Sequence, residues 1–102
     1  MKYSVAIVTG GNKGIGLGIT KLLLKNNYKV ITCGRSPFKD LDKFDGIDHI
    51  QGDITNYETH INLVEKAINS YGKLDLYVNN YPGLSLIIVS LQSLFSSGKS
   101  TI

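Results

Sequence analysis

Val5 to Val8 form an unbroken apolar run, and after a polar, glycine-rich interval Ile15, Ile19, Leu22 and Leu23 recur at i, i+4, i+7 and i+8. The run predicts a strand buried on both faces, and the recurrence predicts a helix from Gly14 to Asn26 with one apolar stripe. Lys29 to Cys33 predicts a second strand, ended by the turn residues Gly34 to Pro37. Ile47 to Asp53 predicts a third. Thr55 and Glu58 have capping-box spacing, so a second helix is expected from Glu58 to Tyr71, with Ile61, Val64, Ile68 and Tyr71 buried and Gly72 as its left-handed stop. Leu74 to Val78 completes the pattern as a fourth strand.

Strands alternating with helices predict an α/β fold, a Rossmann-type doubly wound parallel sheet that is partial, with about four strands in the order 3-2-1-4. The two helices then lie on opposite faces. A crevice opens where the strand order reverses, at the carboxyl ends of strands one and four, and open sheets bind ligands there. Strand four is expected to be an uncovered edge, although Ser85 to Leu91 has the β-prone composition of a further strand.

Composition narrows the class. The 102 residues are 42% hydrophobic and 19% charged, a globular balance for one compact unit. Cys33 stands alone and His49 and His60 are the only histidines, so neither a disulfide nor a zinc site is expected, and metal ligands are none. No window approaches a membrane span, and the expected location is cytoplasmic with no membrane partner. A net charge of +3 comes from scattered lysines rather than a basic stripe, so no nucleic acid is expected. Oligomeric state is left open.

The chemistry-bearing stretch is Thr9 to Gly18, TGGNKGIGLG, with five glycines in ten residues. Gly10, Gly14 and Gly16 are spaced G-x3-G-x-G, and bare backbone between a strand and a helix lets a pyrophosphate approach main-chain amides at the helix's positive end. A tight turn that only packs helix on strand is the alternative. A Walker A loop is excluded here because Leu17 follows Gly16. The carboxyl-terminal GKST, Gly98 to Thr101, has Ser93 where that motif needs its first glycine. The residue about 20 positions beyond such a loop meets the adenosine ribose, and arginine there suits a 2′-phosphate. That place is held by Arg35, nineteen residues after Gly16, and Lys13 offers a second cation. NADP is therefore preferred over NAD, with two solvated surface cations as the competing reading.

These residues resemble the short-chain dehydrogenase/reductase family, most of all its carbonyl reductase-type members. TGGNKGIG at Thr9 to Gly16 is similar to the family's glycine motif, GRS at Gly34 to Ser36 to its NADP-type strand-two ending, GDIT at Gly52 to Thr55 to its adenine-binding motif, and LDLYVNN at Leu74 to Asn80 to the approach to its NNAG signature. The resemblance implies that the amides of Asn12, Lys13, Gly14, Ile15 and Gly16, after the turn at Gly10, face the pyrophosphate. It implies that Arg35 and Lys13 face the 2′-phosphate, that Asp53 and the Ile54 amide edge the adenine, and that Asn79 lies beside the adenosine ribose.

The chain also departs from the family. NNYPG at Asn79 to Gly83 replaces NNAG, putting Tyr81 and Pro82 where the family has small residues. The family's catalytic Tyr-x-x-x-Lys pair has no counterpart, because the six tyrosines are followed four positions later by Ile, Thr, Ile, Asp, Tyr and Ser. Catalytic residues are thus none. Residues 1–80 are expected to be the cofactor-binding half and 81–102 a divergent tail, a truncated or frame-shifted remnant. The expected function is the cofactor-binding part of an NADP-dependent short-chain oxidoreductase, inactive by itself. A non-catalytic NADP-binding or regulatory module, or a non-functional truncated product, are the alternatives.

Overall fold

A computed structural model describes residues 3–80 and the strand formed by residues 87–90. The strands β1 (Ser4–Thr9), β2 (Tyr28–Gly34), β3 (Ile47–Gln51) and β4 (Leu76–Asn79) and the helices α1 (Gly14–Lys25) and α2 (Tyr57–Tyr71) follow the predicted alternation, and a short 3-10 turn occupies Leu41–Lys43. β1 pairs in parallel with both β2 and β4, and β3 pairs in parallel with β2, giving the order 3-2-1-4.

Side-chain alternation along the strands assigns the two faces. Val5 and Ile7 of β1, with Ile31 and Cys33 of β2, pack against Leu63 and Ala67 of α2. Val8, Val30 and Val78 point the other way and pack against Ile19, Leu23 and Leu24 at α1. The helices therefore cover opposite faces. The four residues from Val5 to Val8 are fully buried, as a strand sandwiched between two helices requires.

Four expectations are corrected. β4 is not an edge, because β5 (Ile87–Ser90) pairs with it antiparallel; the short connection after Asn79 cannot hold a crossover helix, so a reversal is the pairing it allows. The cap of α2 is Asn56, whose side chain accepts from the Glu58 amide at 3.0 Å, while Thr55 is drawn into a turn with Asp53. On α2 the buried stripe is Thr59, Leu63 and Ala67, leaving Ile61, Val64 and Ile68 exposed. On α1 Ile15 and Leu22 are exposed, whereas Gly16 and Thr20 are buried. The sheet-facing stripes thus mix small residues, Gly16, Thr20, Thr59 and Ala67, with Ile19, Leu23 and Leu63. Gly72 ends α2 at φ 74°, the left-handed stop expected.

Candidate functional site: the cleft at the strand carboxyl ends

The turn after β1 is built for close approach. Gly10 adopts φ +65° and its amide donates to the Cys33 carbonyl at 2.6 Å, tying the turn to the end of β2. A Cβ on Gly16 would fall 2.0 Å from the Gly10 carbonyl oxygen, so the start of α1 rests directly on the turn. The buried Thr20 hydroxyl, 3.1 Å from the Gly11 carbonyl and 3.0 Å from that of Gly16, holds the two segments together. Gly14 differs: it has φ +58°, and nothing lies within 4 Å of where its Cβ would project. The spacing thus divides the labour, with Gly10 turning, Gly16 packing, and Gly14 leaving open space at the helix entry.

The helix entry is electrostatically bare. Lys13 is the N-cap without a side-chain cap, the first turn carries no acid, and the first rung is the Leu17 amide to the Lys13 carbonyl at 3.1 Å. The amides of Gly14, Ile15 and Gly16 precede that rung and form the positive end of the helix.

A cleft of about 420 Å³ opens beside this entry, walled by Gly10, Asn12 and Lys13 from the first loop, Cys33 to Ser36 from the end of β2, Gly52 and Ile54 beyond β3, and Asn80 beyond β4. It lies where the strand order reverses. Of the residues picked out by sequence, Gly10, Asn12, Lys13, Arg35 and Ile54 meet in this cleft. Asp53 joins it through Arg35, at 3.5 Å from the guanidinium. Its carboxyl is held below the usual carboxylate range, first by the Thr55 hydroxyl at 2.7 Å, then by the Thr55 amide at 2.9 Å, with the Arg35 charge a lesser cause.

Two side chains are placed differently from the simplest reading of the motif. Asn12 is buried and turns across the end of β2, its amide 3.4 Å from the carbonyls of Ser36 and Pro37. The Asn79 carboxamide accepts from the buried Thr9 hydroxyl at 3.2 Å, and that hydroxyl accepts from the Asn80 amide at 2.9 Å. Asn80, rather than Asn79, lines the cleft. Sequence reasoning gave no site role to Cys33, nor to Gly34, Ser36, Gly52 and Asn80, although the last four stand in the motifs it singled out. The signal was available, since each sits at or just beyond the carboxyl end of a parallel strand. Cys33 is buried, and its thiol is pushed up by burial and then by the Asp53 charge, which disfavours the thiolate. Tyr81 and Pro82, the GKST stretch and the other residues from 81 to 102, apart from strand β5, lie outside the described residues.

Among the described residues no cluster of three or more metal-ligating side chains occurs, and no helix is long and apolar enough to cross a membrane. The doubly wound sheet, the glycine turn and the cleft at the switch point define a Rossmann-type α/β protein. The family model for short chain dehydrogenases matches residues 4–90, and the chain belongs to that family. It is 33% identical over 86 residues to short chain aldehyde dehydrogenase 1 of Euphorbia lathyris, covering 78% of this chain and 30% of that protein. A short chain dehydrogenase from Bacillus anthracis superimposes with a TM-score of 0.70 at 29% identity, covering 80% of this chain and 36% of that one. An actinorhodin polyketide ketoreductase variant determined with NADPH gives a TM-score of 0.68 at 32% identity, covering 76% of this chain and 33% of its own. The chain therefore spans about a third of the length of these relatives.

Proposed function

We propose that the chain is the cofactor-binding part of an NADP-dependent short-chain oxidoreductase, acting in the cytoplasm. The observation that carries this reading is the convergence of Lys13 and Arg35, from two different loops, on one cleft beside an uncapped helix start. The residues fit a dinucleotide. The amides of Gly14, Ile15 and Gly16 would receive the pyrophosphate, with the open side of Gly14 giving it room. Lys13 and Arg35 would receive the 2′-phosphate, a dianion that competes well against the exposed Asp53 carboxylate for the guanidinium. Asp53 and the Ile54 amide would edge the adenine, and Asn79 with Asn80 would flank the adenosine ribose.

When bound, NADPH supplies a hydride, and in full-length relatives we expect a carbonyl or alcohol to exchange it. These 102 residues contain no Tyr-x-x-x-Lys pair to donate the accompanying proton, so the polypeptide by itself is expected to be inactive. A non-catalytic NADP-binding module is the second reading, and it rests on the same cleft. We divide the chain into residues 1–80 as the cofactor-binding half and 81–102 as a divergent tail.

Retention on an adenosine 2′,5′-bisphosphate resin, lost in Arg35→Ala, is the expected outcome; a folded preparation that is not retained overturns both readings. Oxidation of NADPH in the presence of carbonyl compounds tests the expected inactivity, which any turnover overturns.

A further inference from the structure

The segment that carries Arg35 is gripped in an unusual way. Three consecutive carbonyls, those of Arg35, Ser36 and Pro37, are each engaged by a side chain from a neighbouring element. Gln51 of β3 donates to the Arg35 carbonyl at 2.8 Å. His49 of β3 meets the Ser36 carbonyl through Nε2 at 2.9 Å. The Asn12 amide lies 3.4 Å from both the Ser36 and the Pro37 carbonyls. His49 is itself oriented: because Nε2 faces a carbonyl it carries the proton, and in the neutral ring Nδ1 accepts from the buried Thr32 hydroxyl at 2.7 Å. Its ring also meets Phe38 edge to face at 5.6 Å.

We propose that His49 and Gln51, together with Asn12, are positioning residues that set dinucleotide preference by keeping the Arg35 to Pro37 carbonyls engaged in hydrogen bonds. The inference rests on the reading of Arg35 as the 2′-phosphate partner. The chemistry is asymmetric between the two cofactors. A 2′-phosphate is repelled by the negative end of a carbonyl dipole and cannot donate to it, whereas the free 2′-hydroxyl of NAD can donate a hydrogen bond to a carbonyl that swings inward. Keeping these carbonyls engaged therefore favours the phosphate twice, by weakening a repulsion and by anchoring the backbone under a side chain that is itself 75% exposed. Releasing them hurts NADP and spares or helps NAD.

The experiment measures dissociation constants of NADP and NAD for the full 102-residue chain, its Arg35→Ala variant, a Thr32→Val/His49→Phe double variant and Gln51→Leu. The double variant removes both partners of the buried hydrogen bond and keeps an aromatic ring against Phe38, which limits the cost to the fold. Gln51 is exposed, so its variant tests the same idea without touching the core. The expected result is an NADP preference in the unaltered chain that falls about tenfold in the double variant and severalfold in Gln51→Leu, with the NAD constant unchanged within about twofold or tightened. Equal weakening of both nucleotides, or an unaltered ratio in both variants while Arg35→Ala abolishes it, overturns the positioning role alone. An unaltered chain without NADP preference overturns the reading of Arg35 and the positioning role with it.

Discussion

Arg35 and Asp53 meet at 3.5 Å across the carboxyl ends of β2 and β3, so the cation proposed to select the cofactor already has a carboxylate beside it. The carboxylate does not depend on the arginine for its charge. The Thr55 hydroxyl and amide are the main reasons its pKa is lowered, so it remains ionised in Arg35→Ala. Because the folded value is depressed, the stabilisation from this turn is present above the ordinary carboxylate range and is lost as pH falls through the lowered value.

Asp53→Asn is expected to raise the ratio of NADP to NAD affinity, because the guanidinium is freed of an acceptor that competes with the 2′-phosphate. The increase should shrink at high salt, as exposed charges are screened. Titrating both nucleotides at two ionic strengths checks it; a ratio that falls would mean that Asp53 helps to place Arg35 rather than competing for it.

The glycines of the first loop should differ sharply in their tolerance of alanine. Gly16→Ala puts a Cβ 2.0 Å from the Gly10 carbonyl and is expected to cost about 1–3 kcal/mol or more, since backbone must move. Gly14→Ala has open space but a φ of +58°, and is expected to cost about 1–2 kcal/mol. Gly18→Ala, inside α1 with nothing within 4 Å, should instead stabilise by about 0.5–1 kcal/mol. Denaturant midpoints for the three variants decide the order.

The topology was legible because it depends on alternation, which a single sequence displays: apolar runs at β1 and β2, a glycine turn, and helical spacing between them fix the 3-2-1-4 order through crossover handedness. Gly10, Lys13 and Arg35 were legible for the same reason, since position at a strand end follows from topology. What failed depends on choices between near-equal local options. Thr55 and Asn56 can each cap a helix, and Asp53 decides between them by taking Thr55. On α2 the bulkier stripe was read as the buried one, whereas the side chains that meet β1 and β2 are Leu63 and Ala67. The pairing of Asn79 with Thr9 and the grip on the Arg35 to Pro37 carbonyls join residues far apart in sequence, and no periodicity encodes them.

The rotated face of α2 is open to direct measurement. Leu63 is fully buried between β1 and β2, so Leu63→Ala is expected to cost about 2–5 kcal/mol. Ile68 is 43% exposed, and Ile68→Ser should change stability by no more than about 0.5 kcal/mol. Equilibrium unfolding of both variants tests the assignment, and comparable losses would restore the stripe inferred from hydrophobicity.

Alkaline titration gives the last test. Tyr71 is pushed up to about 12 by burial first, then by its 2.9 Å hydrogen bond to Asp48 and the charge of that carboxylate. Tyr77 is pushed up to about 12 by burial and, to a smaller extent, by the Cys33 charge; its hydroxyl meets His60 Nδ1, whose Nε2 is 2.7 Å from the Ile54 carbonyl. For both tyrosines the folded value lies above the unfolded one, about 10. The folded state therefore binds more protons between those values, and stability is fully present below about pH 10 and is lost as pH rises toward about 12. Phenolate absorbance should show two tyrosines ionising late or together with unfolding. In Asp48→Asn the Tyr71 transition should move down only in part, because burial remains; a full return to the ordinary tyrosine value would make Asp48, not burial, the main cause.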